Sequence, residues 1–152
     1  MNSKEKNKSK KYDEWAAGLL VFRVHKDNFQ FLLAHPSNNN NAAYGIPKGH
    51  IDNKDKNILI TAVRETHEET GVIAKPIARL RDFFFKKRGG IVKKLTIFLA
   101  VYESGVDENG ISQNHDWEND DVRFFNIDEL PEIFYSQRSF IKQAKSYLLT
   151  RL

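Results

Sequence analysis

Asn57-Ile58-Leu59-Ile60-Thr61-Ala62-Val63-Arg64-Glu65-Thr66-His67-Glu68-Glu69-Thr70-Gly71 is the stretch that decides the fold. Leu59, Ala62, Val63 and Thr66 recur at the spacing of a buried helical stripe, and Gly71 is the residue type that ends a helix. The stretch therefore predicts a helix over 57–70. Three carboxylates, Glu65, Glu68 and Glu69, crowd its final turns. Residues three and four apart are helix neighbours, so Glu65 faces both others and each like-charge pair costs about 0.2–0.5 kcal/mol. The partial negative charge at the helix C-terminus penalises each carboxylate by about 0.3–1 kcal/mol more. Arg64 reaches Glu68 one turn on, in the weaker orientation of such a pair. An isolated helix of this sequence is destabilised, and a divalent cation reverses the sign by turning repulsion into shared ligation.

Gly45-Ile46-Pro47-Lys48-Gly49-His50 precedes the helix, and the run over 49–72 resembles the Nudix box. That pattern is a Gly, five residues, a Glu, seven residues, Arg-Glu, an apolar residue, any residue, Glu-Glu, any residue, Gly and an apolar residue. Arg64-Glu65-Thr66-His67-Glu68-Glu69-Thr70-Gly71-Val72 fits the second half at every charged and glycine position, with Thr66 in the apolar place. The first half departs. Asp55 lies at the Glu distance from Gly49, but eight residues then separate it from Arg64, and counting back from Arg64 reaches Lys56. The loop holds one extra residue, and the first acidic position stays open between Asp55 and Lys56. The resemblance implies an α/β fold, an α/β/α sandwich around a mixed β-sheet, over about 16–149. It also implies hydrolysis of a pyrophosphate linkage in a nucleoside diphosphate joined to another moiety, with Mg²⁺ as cofactor and Mn²⁺ as its alternative.

The rest of the chain is consistent with that frame. Its 152 residues, 40% of them hydrophobic, suffice for one domain over 13–152 with a sizeable core. The absence of cysteine excludes disulfides and thiolate chemistry. Five lysines against Glu5 in residues 1–11 account for the whole net charge of +4. The basic character thus belongs to a tail over 1–12, read as disordered, which can touch RNA although a solvated terminus is the simpler reading. No apolar run is long enough to span a bilayer, and the lysine-rich start lacks the apolar core of a signal peptide, so no membrane partner and a cytoplasmic location are expected. Apolar runs predict strands over 15–23 and 29–35 around a hairpin at 25–28, then strands over 77–85 and 94–102 around Gly89-Gly90. A polar acidic loop over 103–121, a strand over 122–126 and a closing helix from 134 or 137 to 149 follow. Strands on both sides of a central helix, with a second helix at the end, indicate a mixed sheet between helices.

Pyrophosphate hydrolysis needs a cation on the phosphates and an activated water, and Mg²⁺ prefers oxygen ligands. Glu65 and Glu69, one turn apart, are the first candidate ligands, and Glu68 is a third ligand or the water-activating base. Arg64 orients these carboxylates. The family resemblance adds the backbone carbonyl of Gly49, or of its neighbour Lys48, and an acid beyond the box. Trp117-Glu118-Asn119-Asp120-Asp121-Val122-Arg123-Phe124-Phe125 resembles that segment, with Glu118 as the match and Asp116 and Asp120 as substitutes. Tyr44, five residues before Gly49, is placed to stack on a base or to serve as a core or rim aromatic. Of Phe83, Phe84 and Phe85, at least one belongs to the core. Lys48, Lys86, Lys87 and Arg88 are the candidate phosphate contacts, in a basic region over 75–94 that contrasts with the acidic loop over 103–121. The 47–51 segment together with the box is similar to the branch of the family that acts on diadenosine tetraphosphate, while 32–36 and 137–140 look more like a bacterial subgroup. The expected substrate is a small-molecule nucleotide, first a dinucleoside polyphosphate; nucleoside triphosphate, ADP-ribose and 5′-triphosphorylated RNA are the alternatives. A catalytically weak nucleotide-binding module is the reading outside the enzyme class.

Overall fold

The computed structural model describes residues 11–151, so the basic tail read over 1–12 lies outside the described residues except for its last two. Tyr12 belongs with the folded unit: its ring packs 5.6 Å from that of Trp15. The elements that follow are β1 (Glu14–His25), β2 (Asn28–Pro36), β3 (Lys48–His50), α1 (Ile58–Thr70), β4 (Ile73–Arg79), β5 (Phe83–Lys86), β6 (Val92–Ser104), β7 (Asn119–Asn126), and α2 (Arg138–Thr150) after a 3₁₀ turn at Tyr135–Gln137. The strands form one mixed sheet in the order β4-β6-β1-β2-β7, with β3 beside β1 and β5 beside β6. β1 and β6 run parallel, and the other pairs are antiparallel.

β1 is buried along most of its length because its alternate residues feed two cores. Ala16, Leu20 and Phe22 join Phe140, Ile141, Ala144 and Leu148 of α2. Ala17, Leu19 and Val21 join Ala62 of α1. The helices therefore cover opposite faces, which is the expected α/β/α arrangement. The β1–β2 hairpin turns at Lys26 (φ 50) and Asp27 (φ 66), the pair of positive φ values of a type I′ turn.

Three expectations are corrected. The strand read over 77–85 is two strands, interrupted at Leu80-Arg81-Asp82, where Leu80 bonds the Ile97 carbonyl and Gln143 of α2 takes the Arg81 N–H. β3 was not read at all, since Lys-Gly-His carries no strand propensity and its pairing with Ala16–Gly18 is imposed by β1. The buried stripe of α1 is also rotated. Leu59 and Val63 are 38% and 39% exposed, and the buried face is Thr61, Ala62, Thr66, Glu69 and Thr70.

Hydroxyl groups set that rotation. β1 pairs with β3 up to Gly18 and with β2 from Phe22, and in the gap the Leu19 N–H donates to Thr66 Oγ1 at 3.1 Å. Thr70 Oγ1 donates to the Thr66 carbonyl at 2.6 Å and accepts from Val72 N–H. Caps fix the ends of α1: Asn57 accepts from the Ile60 N–H, and Gly71, at φ 73, donates to the His67 carbonyl. Replacing Thr66 by Val keeps the volume and orphans the Leu19 N–H, so it should destabilise the protein by about 1–3 kcal/mol. Val63→Thr on the exposed side should cost no more than about 0.5 kcal/mol. Equal losses for the two variants in denaturant titrations would show that apolar contacts, not hydroxyls, seat the helix.

Candidate active site

The rotation of α1 turns Glu65 and Glu69 toward the sheet. A Cβ built on Gly49 would fall 2.1 Å from Glu65 Cδ, so only glycine at this point of β3 admits the carboxylate. One turn on, Glu69 is 8% exposed and its Oε2 has no hydrogen-bond partner among the described residues. Burial pushes the Glu69 carboxyl up to about 8; Lys48 opposes the shift, while Glu65, Glu118 and Asp116 add to it. Burial also raises Glu65, against the pull of Arg64. Lys48 shows the complement: burial lowers its ammonium and Glu69 pulls it back.

Arg64 holds three carboxylates. Its Nη2 and Nε meet Asp55 at 2.8 and 3.1 Å, and its Nη1 meets Glu65 Oε1 at 2.9 Å and Glu68 Oε2 at 3.1 Å. Asp55 also accepts from Thr61 Oγ1 and from the Asp52 N–H. These donors, Arg64 first, hold the Asp55 carboxyl well below its ordinary range. The question left open by the extra loop residue is thereby answered. The 52–55 turn closes through the Asp55 N–H on the Asp52 carbonyl, Asp55 takes Arg64, and Lys56 stays exposed. Glu68 is the most open of the three box glutamates, with its side chain 55% exposed.

The acidic loop is tied to the same helix end. Asp116 N–H donates to the Glu69 carbonyl at 3.0 Å and Ser112 Oγ donates to the Thr70 carbonyl, satisfying two acceptors that a helix C-terminus leaves open. Glu118 follows, exposed, with its carbonyl accepting from the Ser37 N–H. His35 of β2 pairs with Asp120 at the start of β7 at 2.7 Å, just beyond Glu118. Tyr44 is partly buried against the core, in keeping with the second of its two expected roles. Its hydroxyl donates to Asp121, its ring packs edge-on at 5.0 Å against Phe125 and 5.3 Å from His35, and burial pushes its pKa up to about 12.

The basic residues divide. Lys48 shares electrostatic range with Lys87, Lys93 and His50. Lys93 is half-buried in the register of Leu95 and Ile97, and burial, then Lys48 and Lys87, depress its ammonium to about 8. A charged residue continuing a core-facing alternation was the signal for Lys93 that the sequence reading passed over. Lys87 pairs with Glu14 at 2.9 Å. Lys86 and Arg88 are exposed; Lys86 shares the register of Phe84, opposite the core-facing Phe83 and Phe85, so the three basic residues over 86–88 do not act as one group.

Among the described residues no three carboxylate or imidazole side chains converge on one point. Glu65 and Glu68 face Arg64 instead, and Glu69 lies beside Lys48. The donor set still suits a hard divalent cation: all its atoms are oxygens, and the buried Glu69 Oε2 lacks any partner of its own. Raised to about 8, Glu69 binds a proton in the fold that the unfolded chain, with an ordinary value of about 4.3, has lost. Stability is thus lost as pH rises between those values. Glu69→Gln should match the wild-type melting temperature near pH 4.5 in EDTA and exceed it progressively toward pH 8.5. An advantage constant with pH would show that Glu69 is not the group that titrates. A divalent cation held by Glu69 would need the ionised carboxylate, so if Glu69 is a ligand, Mg²⁺ affinity measured by calorimetry should rise with pH toward 8 with release of protons, and a pH-independent affinity would exclude it.

No helix among the described residues is long and apolar enough to cross a membrane. The NUDIX domain model matches residues 14–144. The chain is 28% identical over 141 residues to the rat bis(5′-nucleosyl)-tetraphosphatase [asymmetrical], covering 88% of this chain and 94% of that protein. Its fold superposes on a Caenorhabditis elegans Ap4A hydrolase binary complex with a TM-score of 0.73 at 20% identity, covering 91% of this chain and 99% of the other. The NUDIX domain of Shewanella oneidensis NrtR complexed with ADP ribose gives 0.73 at 21% identity, covering 97% and 99%. With the box, its glutamates and the sandwich in place, the chain belongs to the NUDIX domain family.

Proposed function

We propose that this Nudix pyrophosphohydrolase cuts a phosphoanhydride bond in the phosphate chain of a dinucleoside polyphosphate, with Mg²⁺, or Mn²⁺ in its place, as cofactor. The observation that carries the reading is the buried, unpartnered Glu69 oxygen, set between the Glu65–Gly49 contact and the Lys48 ammonium. The ion supplies neutralisation of charge on the phosphate oxygens and a more acidic water. Glu65 and Glu69, joined by Glu118 and the Gly49 carbonyl, are the residues to hold it. Arg64 keeps Glu65 and Glu68 in place through its tether to Asp55. Glu68, the solvent-exposed member, takes the proton of the attacking water. The water oxygen bonds to phosphorus, the anhydride P–O bond breaks, and a four-phosphate chain cut unequally gives a nucleoside triphosphate and a monophosphate.

The substrate class draws support from the rat relative and from the basic residues. Lys48 lies beside Glu69 and shares electrostatic range with Lys87 and Lys93, a cationic group that suits several consecutive phosphates. ADP-ribose, the ligand of the Shewanella neighbour, offers two and is the natural comparison. Lys87→Ala combined with Lys93→Ala should raise KM on the order of tenfold for a four-phosphate dinucleotide, consistent with lost charge-assisted contacts, and less for ADP-ribose. Equal effects would leave only general attraction and remove the dinucleotide preference. Glu65→Gln should lower kcat on the order of a hundredfold or more, the scale for losing a group that stabilises transition-state charge. Wild-type protein that turns over no nucleotide with Mg²⁺ or Mn²⁺ would instead be the binding module.

A further inference from the structure

On the sheet face opposite α1, the β4–β5 connection and α2 enclose a groove of about 630 Å³. That volume lies within the range of small-molecule sites, about 300–1,000 Å³. Among the described residues that line it, four are cations, Arg79, Arg81, Lys142 and Arg151, and none is a carboxylate. Arg79 is partly neutralised by Asp82 at 3.1 Å. Arg81 and Lys142 have no acidic partner among the described residues. Cations gathered without counter-charge repel one another, and an anion in the groove removes that cost.

The groove is also organised, which separates it from a merely solvated basic face. Gln143 grips the backbone of Arg81 from both sides, accepting its N–H at 2.6 Å and donating to its carbonyl at 3.3 Å, and leaves the guanidinium uncommitted. At the other end, the Arg151 guanidinium carbon lies 4.0 Å over the centre of the Tyr147 ring in a cation–π contact. The helix dipole gives the groove a direction. Its partial negative end lies at Arg151, so phosphates are favoured away from that end, toward Arg81 and Lys142. A guanidinium plane backed by an aromatic ring is in turn a stacking surface for a base. We propose that this groove is a second nucleotide site, remote from the α1 glutamates, with phosphates at Arg81 and Lys142 and the base on the Arg151–Tyr147 pair.

The test uses the full chain in excess EDTA, with backbone amide NMR shifts followed during titration with ATP, tripolyphosphate or adenosine. ATP and tripolyphosphate should both shift amides around Arg81 and Gln143. Arg81→Ala with Lys142→Ala should weaken both on the order of tenfold, as expected for lost charge-assisted contacts. Arg151→Ala should weaken ATP and leave tripolyphosphate unchanged. All three positions are exposed, so the fold should survive. Hydrolysis at saturating substrate should stay at the wild-type rate, which keeps this test independent of the catalytic reading. Identical shifts with sodium sulfate at matched ionic strength, or an ATP response indifferent to the variants, would overturn the proposal. So would a short single-stranded RNA that binds this face while ATP does not, since that result gives the groove to RNA.

Discussion

The Leu19 N–H falls where β1 exchanges β3 for β2 as its partner, and the Thr66 hydroxyl takes it. That bond fixes more than a helix position. Apolar stripes allow a helix to roll by some tens of degrees at little cost, whereas a directional bond at 3.1 Å does not. With Thr66 held, Glu65 and Glu69 point at the sheet and meet Gly49 and Lys48. The same anchoring places the last carbonyls of α1 where the acidic loop caps them, and so brings Asp116 and Glu118 within electrostatic range of Glu69.

How far the sequence could be read follows from this. The C-terminal end of α1 was legible because Gly71 is a local signal, and β1 and β2 because their apolar runs are long. The rotation of α1 was not. Threonine scores as neither core nor surface, and the bonds of Thr61, Thr66 and Thr70 go to the preceding turn, to a strand far along the chain and to the helix itself. β3 was invisible because it exists only as a partner to β1. The fate of Asp55 was undecidable from spacing, since the turn that delivers it to Arg64 closes through a backbone bond to Asp52. The box glutamates and Lys48 were legible as a group; Lys93 required the face of β6 to be known.

Electrostatics at the site is unfinished in a specific way. Burial pushes Glu69 and Lys48 toward their neutral forms, and each pulls the other back toward charge. Their attraction is a partial remedy, because the carboxylate keeps an oxygen without a partner. Under the proposed function, a phosphate chain arriving with a cation would satisfy both at once: positive charge for Glu69 and negative charge for Lys48. A ligand that is only anionic, or only cationic, improves one half and leaves the other exposed.

The contact between Gly49 and Glu65 gives position 49 an evolutionary meaning as well as a steric one. A methyl group there cannot coexist with the carboxylate where it now lies. Expelling Glu65 would leave the threonine anchors, the two cores and the lysines of the site untouched. A duplicated copy of this chain could therefore displace Glu65 through one codon and keep the rest of the fold. A sensor descended from this hydrolase would be expected to differ first at that glycine, before any glutamate changed.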